Sequence, residues 1–145
     1  MDMEIRQAAL SDIVWLFRLD PLAGKEAARR TQIERAVEER ECWVACGRSE
    51  PNVPIGYGCL DQSFFGEWFI PLVVVSEAHR RSGVGRQIIA HLEHCASAIK
   101  VFTSTNTSNV PMRQLLTQVG YEPSGTIENL DPGDPELVYV KFFDG

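Results

Sequence analysis

An abrupt change from a strand pattern to a helix pattern marks the middle of the sequence. Residues 67–75 form a largely apolar run, which predicts a strand in the centre of a sheet. From Val84 to Ile99 apolar residues recur with the helical period of about 3.6 residues, which predicts an amphipathic helix. Gly83 and Gly85 lie where the two patterns meet. The chain must therefore combine a buried sheet with at least one helix.

Turn residues divide the rest of the chain into further elements. Ser11 and Asn109 are suited to cap helices, and Gly120 is suited to end one. A further helix is predicted over residues 24–40, and strands over 3–8, 42–47, 55–62, 101–103, 121–127 and 137–143. The order βααβββαβαββ predicts a mixed α/β fold. We expect a mixed sheet of about six to seven strands, with about four helices on both faces.

The length of 145 residues is typical of one compact domain, so we predict a single domain over residues 1–145. Hydrophobic residues make up 44% and charged residues 23%, which excludes a disordered tail or a coiled-coil rod. No apolar run approaches the ~20 residues that span a bilayer, and the first residues do not resemble a secretory signal. We therefore expect a cytoplasmic protein without a membrane partner.

The charges are unevenly distributed along the chain. The 14 basic and 20 acidic residues give a net charge of −6, which disfavours nucleic acid as a partner. His79, Arg80, Arg81 and Arg86 nevertheless form a basic group beside the glycines. A local anion site on an acidic protein is therefore compatible with the sequence.

The cysteines and histidines do not predict a metal site. Cys42 and Cys46 would lie about 13 Å apart along a strand, too far to share a tetrahedral ion. We interpret the four cysteines as buried thiols in a reducing compartment. His91 and His94 are three residues apart, whereas the helical zinc signature needs a spacing of four.

The glycine junction predicts an anion site made of backbone amides. The first amides of a helix have no intrahelical acceptor and lie at the positive end of its dipole. Glycines allow a ligand to approach the backbone closely, and a pyrophosphate would fit such a site. The P-loop pattern is excluded, because no Lys-Ser/Thr pair follows Gly85. The dinucleotide fingerprint is excluded, because Ile88 replaces its third glycine.

This junction resembles the central motif of the GNAT family of acetyl-coenzyme A-dependent N-acetyltransferases. The family pattern Arg/Gln-x-x-Gly-x-Gly/Ala is present from Arg80 to Gly85. Asn109 matches the asparagine that opens the next helix in the family, and Gly120-Tyr121 matches the Gly-Phe/Tyr pair after it. The resemblance extends over nearly the whole chain. It departs at Glu77, where the family often has proline.

The resemblance implies a GNAT acyl-CoA N-acyltransferase fold, whose mixed central sheet is mostly antiparallel, and acetyl-CoA as co-substrate. Backbone amides after Arg80 would hold the pyrophosphate, and the pantetheine arm would lie where the strand ending at Val75 separates from the strand over 101–103. A strand amide near Val74 or Val75 would stabilise the thioester oxygen. The implied cofactor-binding residues are Leu72, Val73, Val74, Val75, Arg80, Arg81, Ser82, Gly83, Val84, Gly85, Arg86 and Asn109.

The catalytic groups are less well marked than the cofactor site. Many family members have a tyrosine in the helix after the asparagine as general acid, but this chain has Leu116 there. Glu67, near the start of the central strand, is a candidate general base, and the alternative is a strand-edge glutamate in solvent. Glu128, Asp131 and Glu136 could form an acidic lip for an amine or simply a solvated turn.

The aromatic residues are interpreted mainly as core. This applies to Trp15, Phe17, Trp43, Trp68 and Phe69. Phe64 and Phe65 are also interpreted as core, with an acceptor wall or a dimer contact as alternatives.

The resemblance implies direct transfer of an acetyl group from acetyl-CoA to a primary amine of a small molecule or peptide. It is also compatible with a homodimer. The alternatives are a non-catalytic acyl-CoA-binding module and a transferase that uses another acyl-CoA.

Overall fold

The computed structural model describes residues 2–144, and its elements follow one another in the predicted order. The strands are β1 Met3–Gln7, β2 Cys42–Gly47, β3 Pro54–Phe64, β4 Glu67–Val75, β5 Lys100–Asn106, β6 Glu122–Ile127 and β7 Glu136–Phe142. The helices are α1 Ile13–Leu19, α2 Ala27–Glu38, α3 Val84–Ala96 and α4 Val110–Gln118. Short 3₁₀ turns occupy Leu10–Asp12 and Glu77–His79.

The strands form a seven-stranded sheet in the order β1-β2-β3-β4-β5-β7-β6. β4 pairs with β5 in parallel, whereas β1 with β2, β2 with β3, β5 with β7 and β6 with β7 are antiparallel. The predicted mixed α/β fold class is confirmed. Within residues 2–144, no helix has the length and apolar character needed to cross a membrane.

The chain forms two compact units, of which the first comprises residues 2–60 and 72–92. Its core is built where the apolar stripe of α2 and Leu16 of α1 meet one face of β2 and β3. Ile33 and Val37 are one helical turn apart and therefore face the core together. Burying side chains of this size contributes about 1.5–3 kcal/mol each, which explains why short helices are stable here.

Two glycines of β3 bring α3 close to the sheet within this unit. A Cβ on Gly58 would lie 2.5 Å from Ile88 and 2.9 Å from Leu92. A Cβ on Gly56 would lie 3.2 Å from both Val84 and Ile88. The first turns of α3 therefore pack directly on the backbone of β3, which fixes where the helix begins.

The second unit comprises residues 61–71 and 93–144. β4 and β5 pair at Phe69–Phe102 and Ile70–Thr103, and the Thr103 hydroxyl donates to the Ile70 carbonyl at 2.8 Å. Phe64 stacks on Phe69 with ring centroids 5.2 Å apart. The predicted separation of β4 from β5 beyond this pairing involves residues of both units and stays a prediction, as does the single-domain organisation.

Two local predictions were wrong for identifiable reasons. Ser11 does not cap α1, because it lies inside the 3₁₀ turn and the helix begins only after Asp12. The helical period does not continue to Ile99, because Ser97 takes a left-handed φ of 48° and ends α3.

The aromatic core prediction was wrong in part. Phe65 is 91% exposed, because it occupies the β3–β4 turn with a left-handed φ of 55°. Large rings are rarely buried completely. Six other aromatic residues are only partly buried, although one of them, Phe17, does pack against the core. They are Trp15, Phe17, Trp43, Phe64, Trp68 and Phe69.

The cysteine prediction holds for three of the four thiols. Cys42, Cys46 and Cys59 are buried, but Cys95 is exposed. Burial raises the pKa of the Cys46 thiol, which keeps it protonated.

Candidate functional site

The segment between β4 and α3, residues 76–83, is called the β4–α3 loop below. The Ser76 amide still donates to the Ile55 carbonyl at 2.8 Å, which extends the pairing with β3 beyond Val75. A 3₁₀ turn over Glu77–His79 follows, and α3 begins at Val84. The predicted strand–turn–helix junction is therefore present.

Polar side chains of the β4–α3 loop fix its conformation. The Ser76 hydroxyl and His79 Nδ1 are 2.7 Å apart, within hydrogen-bond distance. The Ser82 hydroxyl donates to the His79 carbonyl, and Arg80 Nε donates to the Val75 carbonyl at 3.3 Å. These bonds order the loop before any ligand binds, so a ligand would meet a preformed surface. His79, one of the basic residues beside the glycines, thus contacts the loop itself through Nδ1.

The backbone of the loop contains two left-handed residues, a feature found in many anion-binding turns. Arg81 and Gly83 adopt left-handed φ values of 65° and 83°. Left-handed residues in such turns direct successive amides into a concave surface. A Cβ on Gly83 would meet nothing within 4 Å, so this surface is open. The left-handed φ rather than crowding therefore explains the glycine at 83.

The start of α3 adds amides to this surface. The first helical bond is donated by Gln87 to the Gly83 carbonyl at 3.1 Å, so the amides of Val84 and Gly85 have no acceptor in the helix. Val84 is buried and anchors the turn, whereas Arg80, Arg81 and Arg86 are exposed. Three guanidinium groups and the helix dipole thus favour a negative ligand here.

The last residues of β4 present their backbones in alternating directions. The carbonyls of Leu72 and Val74 lie 3.5 Å and 3.1 Å from Cβ positions built on Gly58 and Gly56, so they point toward β3. Because strand residues alternate, the amides of Val73 and Val75 point away from β3. Of the two amides predicted to stabilise the thioester oxygen, this orientation excludes Val74 and leaves Val75.

Asn109 lies in the second unit, where it caps α4. Its side-chain oxygen accepts from the Met112 amide at 3.3 Å, and Pro111 occupies the first turn. The capping role predicted from the sequence is confirmed. A contact between Asn109 and a pantetheine arm stays a prediction.

Glu67, the predicted general base, is the first residue of β4. Its carboxylate is 41% exposed and forms an ion pair with Lys100 Nζ at 3.5 Å. This environment matches the surface alternative considered for Glu67, since both partners are partly solvated. A role as base would require the carboxylate to leave this ion pair and stays a prediction.

The position expected to supply a general acid is filled by an apolar side chain. Leu116 is 2% exposed on the inner side of α4. Tyr121, another phenol of the second unit, donates to Glu93 at 2.9 Å. Burial, together with the nearby Glu93 carboxylate, raises the pKa of Tyr121. Its hydroxyl is therefore committed to a structural hydrogen bond.

The acidic C-terminal residues accept hydrogen bonds from β5 and from the segment that follows it. Asp134 accepts from both the amide and the hydroxyl of Ser108, at 3.0 Å and 2.5 Å. Asp131 accepts from the Asn106 amide group at 2.9 Å, and Glu136 from the Ser104 hydroxyl at 2.7 Å. Glu128 is exposed. Three of the four carboxylates are thus bonded to β5 or to Ser108 just after it, and an acidic lip for an amine stays a prediction.

The sequence analysis assigned no role to the two glycines that allow α3 to pack closely on β3. Gly56 and Gly58 are separated by one residue, so they fall on the same face of β3. Alternate glycines in a strand indicate a close backbone approach, which could have been recognised. Within residues 2–144, no group of three or more potential metal ligands is found.

The sequence model of the acetyltransferase (GNAT) family matches residues 8–121. A search of curated proteins gives no match. Among solved structures, an acetyltransferase of the GNAT family from Bacillus cereus ATCC 10987 is 27% identical in sequence. The two structures superpose with a TM-score of 0.88 over 100% of each chain.

Two further solved structures share the fold at lower identity. The ribosomal-protein-S18-alanine N-acetyltransferase from Escherichia coli is 13% identical, with a TM-score of 0.80 over 99% of this chain and 96% of that chain. A protein assigned as a streptothricin acetyltransferase from Bacillus anthracis str. Ames, solved with acetyl coenzyme A, is 20% identical. Its TM-score is 0.63, over 71% of this chain and 62% of that chain.

Proposed function

Because the chain belongs to the acetyltransferase (GNAT) family, as its sequence predicted, we propose that it transfers an acetyl group from acetyl-CoA to a primary amine. The acceptor is a small molecule or a peptide, and the acetyl group passes directly, without an acyl-enzyme. The observation that carries the proposal is the open β4–α3 loop, with its left-handed residues, at the start of α3.

In this proposal the loop binds the pyrophosphate of coenzyme A. The amides from Arg81 to Arg86 donate to phosphate oxygens, and the exposed Arg80 and Arg81 side chains add positive charge. Since the loop is already ordered by Ser76 and Ser82, little conformational entropy is lost on binding. The B. anthracis relative, which was solved with acetyl coenzyme A, supports this choice of co-substrate.

The reacting end of the co-substrate would lie along Leu72–Val75. The amine nitrogen attacks the thioester carbonyl, and negative charge develops on its oxygen. The Val75 amide, directed away from β3, is the donor we propose for that oxygen. The intermediate then releases the coenzyme A thiolate, which is a tolerable leaving group even without a general acid at Leu116. Glu67 is the proposed base for the ammonium proton.

A non-catalytic acyl-CoA-binding module is the second candidate function. It is favoured by the buried apolar side chain of Leu116 and by the ion pair that occupies Glu67. A transferase that uses another acyl-CoA is a third alternative. A cytoplasmic location, an amine acceptor as partner, and the absence of nucleic acid and membrane partners also belong to the proposal, together with a homodimeric state.

The first test is a thermal melt with acetyl-CoA, free coenzyme A, ATP and NADH in parallel. A ligand at 100 times its Kd stabilises the native state by about 2.7 kcal/mol. In a chain of this length the expected rise in Tm is about 5–15 °C. Both coenzyme A forms should give the rise, and ATP and NADH should not. If neither coenzyme A form shifts Tm, the β4–α3 loop is only a turn and the proposal fails.

Gly85→Glu places bulk and negative charge at the start of α3, where the pyrophosphate would bind. We expect this variant to lose the Tm shift with acetyl-CoA. Gly47→Glu is the matched control, since a Cβ there meets nothing within 4 Å and the residue lies at the end of β2. A folded Gly85→Glu variant with unchanged affinity would show that the phosphate site is elsewhere.

A turnover assay distinguishes the proposed transferase from the non-catalytic binding module. Release of free coenzyme A thiol, measured with a panel of primary amines, is expected only of the transferase. A protein that shows the Tm shift but no amine-dependent thiol release would support the binding module.

A further inference from the structure

Two cysteines on neighbouring strands lie opposite each other and have no role in the proposed transfer. Cys42 on β2 and Cys59 on β3 are direct partners in the antiparallel register. Their exposed fractions are 0% and 2%, and both belong to the core of the first unit. Directly opposite residues point their side chains to the same face of a sheet.

The hydrogen bonds around the two cysteines identify the type of pair that they form. The Leu60 amide donates to the Glu41 carbonyl at 2.9 Å, so these neighbours are a hydrogen-bonded pair. Since pair types alternate along an antiparallel ladder, Cys42 and Cys59 are a non-hydrogen-bonded pair. A second hydrogen bond supports this assignment. The Cys42 carbonyl accepts from the Ala8 amide at 2.9 Å, so it points away from β3.

This type of pair suits a disulfide. The Cα atoms of a non-hydrogen-bonded pair are about 4.5 Å apart, which lies within the range of about 4.4–6.8 Å found for disulfides. Cys46 is four residues farther along β2, about 13 Å from Cys42, and its register partner is Pro54. Cys95 is exposed on α3. The strand register therefore brings together Cys42 and Cys59 in particular.

We propose that Cys42 and Cys59 form a redox modification site, at which a small hydroperoxide converts the two thiols into a cross-strand disulfide. One sulfur attacks the peroxide oxygen, becomes a sulfenic acid and releases one molecule of water when the oxidant is hydrogen peroxide. The second thiol attacks the sulfenic sulfur, forms the S–S bond and releases a second water. The two sulfurs together lose two electrons, and the peroxide accepts them. A dithiol reductant reverses the modification.

A small oxidant can reach the two buried cysteines only where the sheet opens locally, and Cys42 lies at an end of β2. Cys42 is the first residue of β2, two residues after Arg40 with its left-handed φ of 62°. The proposal requires β2 to open locally at this end, and local opening generally costs less free energy than global unfolding. Disulfides of intracellular proteins are usually of this transient kind.

The test uses the full chain with Cys95→Ser, which removes the exposed thiol that could link two molecules. The protein is treated with hydrogen peroxide, unfolded, alkylated with iodoacetamide and weighed intact without reductant. We expect a single carbamidomethyl group, on Cys46, and a mass two hydrogens below that of the reduced protein carrying one such group. Peptide mapping should show a link between Cys42 and Cys59. Dithiothreitol should restore alkylation of all three remaining cysteines.

Paired variants complete the test. Cys46→Ala should keep the bridge, whereas Cys59→Ala should lose it. Peptide mapping of the Cys95→Ser protein tests the bridge even if neither of these variants folds. The bridged form should also melt about 5–15 °C higher, because the link closes residues 43–58 into a loop. Full alkylation of Cys42 and Cys59 after peroxide treatment, or a bridge that includes Cys46, would overturn the proposal. The outcome does not depend on acetyl transfer.

Discussion

At the scale of single residues, the buried carboxylate of Asp12 joins β1 to the 3₁₀ turn that follows it. Arg6 on β1 donates to both of its oxygens, at 2.7 Å and 2.9 Å, and the Ala9 amide donates to it at 2.7 Å. Burial by itself would raise the pKa of Asp12, but the hydrogen bonds from Arg6 and Ala9 outweigh it and lower the pKa. The sequence suggested Ser11 as the cap of the first helix, whereas in the turn before that helix the Asp12 carboxylate accepts from the Ala9 amide.

The lowered pKa of Asp12 predicts a pH-dependent contribution to stability. Asp12→Asn should reduce the free energy of unfolding by about 1–3 kcal/mol at pH 7. Because the folded pKa lies below the ordinary value of 3.8, the stabilisation is complete above that pH. It is then lost as the pH falls through the lower folded pKa. Urea unfolding of both proteins from pH 7 to pH 2 measures the difference, which should shrink on the acid side.

Asp2→Asn is the matched control for this prediction. It removes the same charge from an ion pair with Arg48 at 2.7 Å, but the Asp2 side chain is 80% exposed. Exposed ion pairs contribute little, so the control should unfold like the parent protein. An equal effect of the two substitutions would contradict the buried role of Asp12.

At the scale of secondary-structure elements, the close packing of α3 on β3 positions the β4–α3 loop. The apolar residues of α3 have no side chain between them and the backbone at Gly56 and Gly58. The helix can therefore begin immediately after the loop, with Val84 buried as its anchor.

Gly58→Ala tests this packing. The added methyl group would lie 2.5 Å from Ile88 and 2.9 Å from Leu92, so these side chains or α3 itself must shift. Overpacking of this kind costs about 1–3 kcal/mol, and we expect a corresponding loss in urea denaturation together with weaker coenzyme A binding. Gly47→Ala, where a Cβ meets nothing within 4 Å, should change neither quantity. Unchanged stability of Gly58→Ala would mean that α3 is not held against β3.

A second junction of elements depends on a buried polar group. Asp20 follows α1, is 3% exposed and accepts from the Tyr57 hydroxyl of β3 at 2.6 Å and from Arg29 of α2 at 2.9 Å. Its carboxylate therefore joins two helices and a strand of the first unit.

Tyr57→Phe removes one hydrogen bond from Asp20 while keeping the buried ring. The free energy of unfolding should fall by about 1–3 kcal/mol, because the carboxylate stays buried with one donor fewer. Chemical denaturation at neutral pH checks this expectation. A variant as stable as the parent protein would mean that Arg29 and the Leu22 amide, which donates at 3.0 Å, are sufficient for Asp20.

At the scale of the whole molecule, the net charge disfavours nucleic acid as a partner but still allows a small anionic ligand. The chain has 20 acidic and 14 basic residues, so the phosphate backbone of a nucleic acid meets net repulsion. A single pyrophosphate needs only the local group of Arg80, Arg81 and Arg86.

We therefore expect no binding to a labelled DNA duplex in fluorescence anisotropy at about physiological salt. Acetyl-CoA should still shift Tm under the same conditions. Saturable DNA binding at that salt concentration would contradict the interpretation of the charge distribution.

The sequence by itself determined the order of elements, the strands over 42–47 and 67–75, and the glycine junction between β4 and α3. These features depend on local periodicity and on residues with special backbone freedom, which a sequence displays directly. The match of the family model agrees with that interpretation. The sequence also identified Asn109 as a cap, since capping depends on the amide three residues later.

Only the tertiary structure decided which side chains are partners. It paired Asp12 with Arg6, Asp134 with Ser108, and Cys42 with Cys59, and it left Phe65 in solvent. These outcomes depend on strand register and on where turns expose a residue, and neither is encoded in a short stretch of sequence. A shift of one residue between β2 and β3 would leave every local pattern unchanged but would separate the two cysteines.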